Sequence, residues 1–392
     1  MTTAAIRMLD RASRAAWVAI AALALAACGG GGDSSSQPAA AAPVTKADAT
    51  TLTRGNGPEP DTLDPQRART DGAFNILRDV FEGLTAVGPD GRPVPAAATS
   101  WTVTPDGLEY TFQLRDGLRW SNGDRLVAGD YVAGMRRLVD PATASPYAQI
   151  LEPVINAAEI TRGAKPASEL GVTAPDDRTV VIRLRNPAPY LLGLLAQPGT
   201  FPVHGPSLAA NGAEFARPGK MLSNGAFVLE DWVLGSHVVI RRNRNYWNDA
   251  ETRLERVHFV HHADVGTEFR QYRAGELDIT YVVPQQQFTW IKQNMPSELH
   301  ISPQLSVYYY GFNLTRPPFK DQPGLRRALS LVIDRDKLTS AVTGLGEAPA
   351  YGWVPDGTAN YTSQKFDYAA RPLAERLAEA RELYRKAGYS AD

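Results

Sequence analysis

Residues 108–115 read Leu-Glu-Tyr-Thr-Phe-Gln-Leu-Arg and show the fold class most directly. Their apolar members Leu108, Tyr110, Phe112 and Leu114 alternate with polar residues. A period of two is typical of a β-strand that buries one face. The stretch therefore predicts a strand at the surface of a packed core.

Helical and strand patterns both occur on either side of this stretch. Residues 180–184 alternate in the same way, and steps of three and four residues separate the apolar positions Tyr131, Met135, Leu138 and Val139. Asp140-Pro141 should end that helix, and a second helix should begin at Pro372 and end near Gly388. The chain is predicted to be a mixed α/β protein.

Composition restricts the function classes. The chain has 392 residues, of which 43% are hydrophobic and 21% charged, and its formal net charge is −1. We therefore expect no binding to nucleic acid. The roughly 340 residues after residue 50 favour two or more packed lobes.

The N-terminal segment is typical of an export signal. Arg7, Arg11 and Arg14 precede the apolar residues 15–27, which are too few to span a bilayer. We interpret residues 1–27 as a signal peptide.

Cys28, the single cysteine, follows Leu25-Ala26-Ala27. These residues resemble the bacterial lipobox, which implies lipidation of Cys28 and a lipid anchor to a membrane, whether inner or outer. The alternative is a plain signal peptide with an incidental cysteine. Residues 28–50 are rich in Gly, Ser and Ala and read as a flexible tether.

Motifs for catalysis are missing from the sequence. It contains no Gly-x-Ser-x-Gly, His-Glu-x-x-His or Cys-x-x-Cys. The best metal candidates are His258, His261, His262 and Asp264, but on a strand His258 and His262 would lie about 13 Å apart. We expect neither an enzyme nor a cofactor or metal, and an exported hydrolase is the alternative.

Aromatic residues give a second, weaker signal. Tyr308, Tyr309 and Tyr310 form a run on a predicted strand, and alternation would direct Tyr309 to the opposite face. Such residues line either a ligand cleft or the core, and the pattern leaves both open.

Several collinear blocks carry a resemblance to a known family. They are residues 63–65 (Leu-Asp-Pro), 79–84 (Asp-Val-Phe-Glu-Gly-Leu), 120–124, 140–147, 223–226, 243–247, 272–278, 308–313 and 326–330. From about residue 51 onward, the chain resembles the bacterial extracellular solute-binding proteins of family 5, which include the oligopeptide-binding and dipeptide-binding proteins of ABC importers.

The resemblance implies a periplasmic binding protein fold of type II, with hinged lobes around a central ligand cleft. Lobe I would comprise residues 51–81 and 205–305, lobe II residues 82–204, and lobe III residues 306–392. Family members continue beyond the point that corresponds to Asp392, into the rest of lobe III. We therefore expect lobe III to be incomplete.

The implied function is peptide uptake. An oligopeptide would bind between the lobes, and a permease in the cytoplasmic membrane would receive it from a monomeric, extracytoplasmic lipoprotein. Relatives on the same fold bind nickel, heme, opines or sugar oligomers, so another ligand stays open. In the family, an aspartate in the missing portion pairs with the peptide amine. A weakly binding or non-functional truncated fragment is therefore a further alternative.

The resemblance also assigns candidate ligand-binding residues, residue by residue. They are Arg69, Asp71, Arg78, Tyr147, Tyr281 and Tyr309. The loop that holds Arg69 and Asp71 has lost or shifted an acidic residue found in the family, which leaves the preferred length and charge of the peptide open.

Overall fold

The computed structural model describes residues 50–302, 304–358 and 361–390. The predicted signal peptide, the lipidation site at Cys28 and all but the last residue of the tether lie outside these ranges. They stay predictions.

In the residues that the model describes, ten strands and ten helices follow one another in mixed order. The strands are β1 Thr51–Gly55, β2 Thr85–Val87, β3 Pro93–Pro95, β4 Ala98–Val103, β5 Glu109–Leu114, β6 Val172–Asp176, β7 Thr179–Arg183, β8 Phe227–Val233, β9 His237–Arg242 and β10 Arg256–Val260. The helices are α1 Asp71–Val80, α2 Ala128–Val139, α3 Ala157–Thr161, α4 Leu191–Leu194, α5 Gly205–Asn211, α6 Val265–Arg273, α7 Phe288–Asn294, α8 Pro323–Leu331, α9 Arg335–Lys337 and α10 Leu373–Lys386. A π-helical stretch, Leu338–Thr343, and seven short 3₁₀ turns complete the described part of the chain.

The first four-stranded sheet joins distant parts of the sequence. Its strand order is β1-β10-β9-β8, with β1 parallel to β10 and the other pairs antiparallel. Residues 278–279 run along the other side of β1, where the Gly55 N–H donates to the Ile279 carbonyl at 2.8 Å. The segment that leaves β1 is therefore fixed by contacts made some 200 residues later.

The second four-stranded sheet contains the stretch that opened the sequence analysis. Its order is β4-β5-β7-β6, and all its pairs are antiparallel. In β5, Tyr110, Phe112 and Leu114 are buried, as are Val180 and Ile182 in β7. The predicted strands and their inward faces are confirmed.

Helix α2 covers this sheet and confirms the predicted helical stripe. Tyr131, Met135 and Leu138 are all fully buried, and the helix ends just before Asp140-Pro141. Gly134 allows a close approach, because a Cβ there would lie 2.5 Å from the Phe201 carbonyl oxygen. A side chain at this position would push the helix off its neighbour.

A nearly buried ion pair ties the Leu-Asp-Pro turn to α2. The Arg137 guanidinium donates to both oxygens of Asp64 at 2.6 Å and to Gln66 Oε1 at 2.6 Å. The Asp64 side chain is 7% exposed and that of Arg137 18%. These contacts replace the hydrogen bonds to water that both charged groups lose on burial.

Removing one partner of this pair should be strongly destabilising. We expect Asp64→Ala to lower the free energy of unfolding by about 3 kcal/mol, because Arg137 would stay buried without its counter-charge. Asp90→Ala is the matched control, since Asp90 and Arg92 form an exposed pair 3.7 Å apart. It should cost less than about 0.5 kcal/mol. Urea unfolding measures both, and equal losses would contradict the prediction.

The C-terminal part has its own small core. Ala328, Leu331, Tyr368 and Ala380 are buried together, where α8 packs on α10. The helix predicted after Pro372 is confirmed, and Gly388 beyond it has a φ of +87°. Glycine adopts this conformation without strain.

The predicted strand at Tyr308–310 is wrong. These residues have no regular secondary structure. A strand needs a hydrogen-bonding neighbour, and no described residue pairs with this backbone. The sequence pattern predicts which side chains of a strand share a face, but it does not show whether a neighbouring strand is present to pair with it.

Candidate functional site

Helix α1 begins in a loop that several polar contacts hold in place. Thr70 caps the helix, and its hydroxyl accepts a hydrogen bond from the Ala73 N–H at 3.3 Å. The Asp61 carboxylate accepts from the Arg69 N–H and the Thr70 hydroxyl, both at 3.2 Å. Asn56 donates its side-chain amide to the Gly72 carbonyl at 3.0 Å. The first turn of α1 is therefore anchored to the loop that follows β1.

Two aromatic rings and two arginines contact one another along α1, from its first turn to its last. The Tyr147 hydroxyl donates to the Arg69 carbonyl at 3.4 Å, and the Tyr147 and Phe74 ring centroids lie 5.7 Å apart. The Arg78 guanidinium carbon lies 5.9 Å from the Phe74 ring centroid. Phe74 was missed from sequence, although its i,i+4 spacing to Arg78 would have placed both on one face of α1.

Tyr281 borders the same turn from the other side. Its hydroxyl donates to Asp71 Oδ2 at 3.4 Å, and its backbone N–H donates to the Glu268 carboxylate. A Cβ at Gly57 would lie 2.8 Å from the Tyr281 ring, so only glycine fits beneath it. Partial burial and the neighbouring Asp71 charge raise the pKa of Tyr281.

Four of the six predicted site residues thus gather around the start of α1, and a fifth, Arg78, lies in the last turn of this helix. Tyr309, the sixth, instead packs against Trp353, with ring centroids 4.4 Å apart. The role of each residue in ligand binding stays a prediction.

The charges near α1 are incompletely neutralised. Desolvation lowers the pKa of Arg78, although the negative charges of Asp71 and Asp79 act to raise it. Arg78 forms no ion pair with any other described residue. Burial raises the pKa of Asp79 to about 6, although Arg54 and Arg78 favour its charged form. The Arg78 guanidinium therefore has no counter-charge in direct contact among the described residues.

Asp79 should make stability depend on pH. Its pKa is about 6 in the folded protein and 3.8 in an unfolded chain. The folded state thus binds more protons between these values, and its stability should fall as pH rises from 4 to 6. Asp79→Asn removes the titrating group and with it this pH-dependent loss of stability. The gain in free energy of unfolding from the substitution should therefore be about 1–3 kcal/mol larger at pH 7 than at pH 4. Urea unfolding at both pH values checks this, and a difference that does not change with pH would contradict it.

A buried polar network lies behind the site. The Asn224 side chain accepts from the Glu82 N–H at 3.1 Å and donates to the Glu82 carbonyl at 2.9 Å. The Glu82 carboxylate accepts from the Tyr246 hydroxyl at 2.5 Å and from the Trp247 indole N–H at 2.8 Å. Burial raises the pKa of Glu82. Three of the resemblance blocks, 79–84, 223–226 and 243–247, therefore meet in one network.

The four residues named as metal candidates do not gather into one group in the described part of the structure. Among residues 50–302, 304–358 and 361–390, no group of three His, Cys, Asp or Glu side chains could hold a metal ion. His261 faces Glu59 at 3.5 Å, and the His262 N–H donates to the Gly57 carbonyl at 2.8 Å. In the same part of the chain, every helix is too short or too polar to cross a membrane.

Comparison with known proteins decides the family. The family model for bacterial extracellular solute-binding proteins, family 5 Middle, matches residues 92–392. The chain belongs to this family. It is 39% identical over 354 residues to the periplasmic oligopeptide-binding protein OppA of Escherichia coli K12, covering 90% of this chain and 65% of OppA. It is 40% identical over 338 residues to the probable deoxycholate-binding periplasmic protein YgiS of the same strain, covering 86% and 63%.

Solved structures of family 5 proteins have the same fold. OppA of Burkholderia pseudomallei superposes with a TM-score of 0.82 at 34% identity, covering 88% of this chain and 68% of that one. The murein tripeptide binding protein MppA of E. coli also gives 0.82 at 36% identity, covering 87% and 67%. The predicted periplasmic binding protein fold is confirmed. The chain spans just under two thirds of the length of the curated family 5 relatives described above.

Proposed function

We propose that this chain captures oligopeptides outside the cytoplasm for an ABC importer. The observation that carries the proposal is the gathering of Arg69, Asp71, Tyr147 and Tyr281 around the start of α1, with Arg78 in the last turn of the same helix. Similar proteins include oligopeptide-binding and murein tripeptide binding proteins, which supports a peptide ligand.

The chemistry of this surface suits a peptide backbone. Arg78 has guanidinium donors without an ion-pair partner among the described residues, and these can bind a carbonyl or a carboxylate. Asp71 is exposed and can accept from an amide or an ammonium group. The Phe74 and Tyr147 rings offer apolar contact that does not select one side chain. Such a site binds many peptides through features that they share.

Delivery to the importer follows from lobe closure. A peptide that binds the closed form more tightly than the open form shifts the protein toward closure. The predicted lobes, residues 51–81 with 205–305, 82–204 and 306–392, belong to this proposal. The permease in the cytoplasmic membrane, the lipid anchor at Cys28 and the monomeric state belong to it as well. In this role the protein binds its ligand without catalysis.

A bile-acid-like ligand is the second candidate. The relative described as probably deoxycholate-binding is as similar to this chain as OppA is. Phe74 and Tyr147 could cover an apolar body while Arg78 binds its carboxylate.

Calorimetric titration with a tripeptide library and with deoxycholate separates the two ligands. Tyr147→Ala should weaken binding of the true ligand about tenfold, because it removes the ring on Phe74 and the contact at Arg69. Tyr190→Ala is the matched control, since Tyr190 is an exposed tyrosine at the start of α4. Equal effects of both substitutions would contradict the assigned site. Binding of neither ligand by the unmodified chain would overturn the proposal.

A further inference from the structure

A cavity of about 140 Å³ lies between the end of β5 and the start of α2. We call it the arginine cavity, because four arginines and two aspartates line it together with buried leucines, which gives it a formal charge of +2. A cavity that holds one water needs about 10–15 Å³, so this one has room for a small polyatomic ligand. The charged residues are Arg115, Arg119, Arg125, Arg178, Asp116 and Asp177.

Two of these arginines lie directly opposite each other. Arg119 and Arg125 form an antiparallel bridge, and beside it the Leu126 N–H donates to the Leu118 carbonyl at 3.0 Å. Directly opposed side chains leave the backbone on the same face, about 5 Å apart at Cβ. Like charges in this position destabilise the pairing. An anion bound between the two guanidinium groups would remove this repulsion.

The aspartates of the cavity neutralise only part of the charge. Asp177 binds Arg125 at 3.0 Å, and Asp116 binds Arg178 at 2.5 Å. Each carboxylate thus has one arginine, and two of the four arginines have no carboxylate from the cavity. The leucines beneath these groups are at most 7% exposed. Their low polarity strengthens the positive potential that remains.

The two arginines without a carboxylate differ in what they contact. Arg115 donates to the Ala96 carbonyl at 2.6 Å, and its guanidinium carbon lies 3.6 Å from the Trp247 ring centroid. Arg119 donates to the Gly123 carbonyl at 2.8 Å and has no ion pair in the part of the chain that the structure describes. The guanidinium donors that a ligand can reach are therefore those of Arg119, with Arg125 opposite.

We infer that the arginine cavity binds an oxyanion that carries a phosphate group. Guanidinium groups bind phosphate oxygens through paired, charge-assisted hydrogen bonds. A phosphate group offers three acceptor oxygens, so it can bind Arg119 and Arg125 at the same time. The phosphate belongs either to a free anion or to the headgroup of a membrane lipid. The inference goes beyond the proposed capture of peptides and does not depend on it.

Calorimetric titration of the 392-residue chain with inorganic phosphate tests the cavity. We expect saturable binding that Arg119→Gln weakens about tenfold or more, because a hydrogen bond between charged groups contributes about that much. Arg119→Lys keeps the charge without the paired donors and should restore only part of the affinity. Arg253→Gln is the matched control, since Arg253 is an exposed arginine outside the cavity.

Thermal unfolding gives a second readout on the same variants. Phosphate stabilises proteins in general because it is excluded from their surfaces, and all variants share that effect. A bound phosphate adds a saturable rise in the unfolding midpoint. We expect this added rise in the unmodified chain and in Arg253→Gln but not in Arg119→Gln. Without phosphate, Arg119→Gln should unfold at the same or a slightly higher temperature, because the repulsion from Arg125 is gone.

Vesicles distinguish the two sources of phosphate. Sedimentation with phosphatidylglycerol vesicles, whose headgroups are anionic, is compared with sedimentation with phosphatidylcholine vesicles. The apolar residues 15–27 are present in every variant, so only differences between variants count. A loss of phosphatidylglycerol binding in Arg119→Gln would assign the cavity to a lipid headgroup. An effect of this substitution on inorganic phosphate alone would assign it to a free anion.

Two results would overturn the inference. One is that the unmodified chain binds neither inorganic phosphate nor phosphatidylglycerol vesicles. The other is that Arg119→Gln and Arg253→Gln change this binding equally. The calorimetric test at Tyr147 is separate, since it uses a tripeptide library and deoxycholate. A chain that binds peptide but not phosphate would refute the role of the arginine cavity and leave ligand capture standing.

Discussion

The parallel pairing of β1 with β10 is the constraint on which the described structure depends. It fixes residues 51–55 against 256–260, and residues 278–279 hold the other side of β1. The loop after β1 and helix α1 then leave the sheet from a fixed point. Tyr281 meets Asp71 because both follow chain segments that pair at β1. The candidate site is therefore a consequence of long-range strand pairing, which forms late and slowly in folding.

Polar contacts also fix helix α1 to parts of the chain outside the first sheet. Arg137 on α2 binds Asp64 in the turn before α1, and Asn224 binds the backbone of Glu82 just after α1. Helix α1 thus lies between two polar connections, each joining it to another part of the chain. Buried groups of this kind are costly unless each has a partner, so they admit few alternative arrangements.

Local patterns predicted local structure well. The alternation at 108–115 and the stripe from Tyr131 to Val139 report which side chains face the core, and the structure buries them accordingly. The tyrosine run at 308–310 failed as a strand because pairing is a non-local property. The Glu82 network was missed for the same reason, since Asn224, Tyr246 and Trp247 lie far away in sequence. Apart from the aromatic run that includes Tyr309, only the family resemblance pointed to the candidate site residues. It did not include Phe74, which contacts Tyr147.

The contacts of Asn224 also bear on the chemical ageing of the protein. Asn224 precedes Gly225, and asparagine followed by glycine is the sequence most prone to deamidation through a cyclic imide. That reaction needs the asparagine side chain to fold back onto the next backbone nitrogen. Here both side-chain atoms are engaged with Glu82, and the Gly225 N–H donates to the Val80 carbonyl at 3.0 Å. A Cβ at Gly225 would lie 2.7 Å from the Val80 carbonyl carbon, so the vulnerable glycine cannot be replaced without displacing α1. The fold thus keeps a chemically fragile dipeptide intact by immobilising it, and local unfolding here would expose it to irreversible damage.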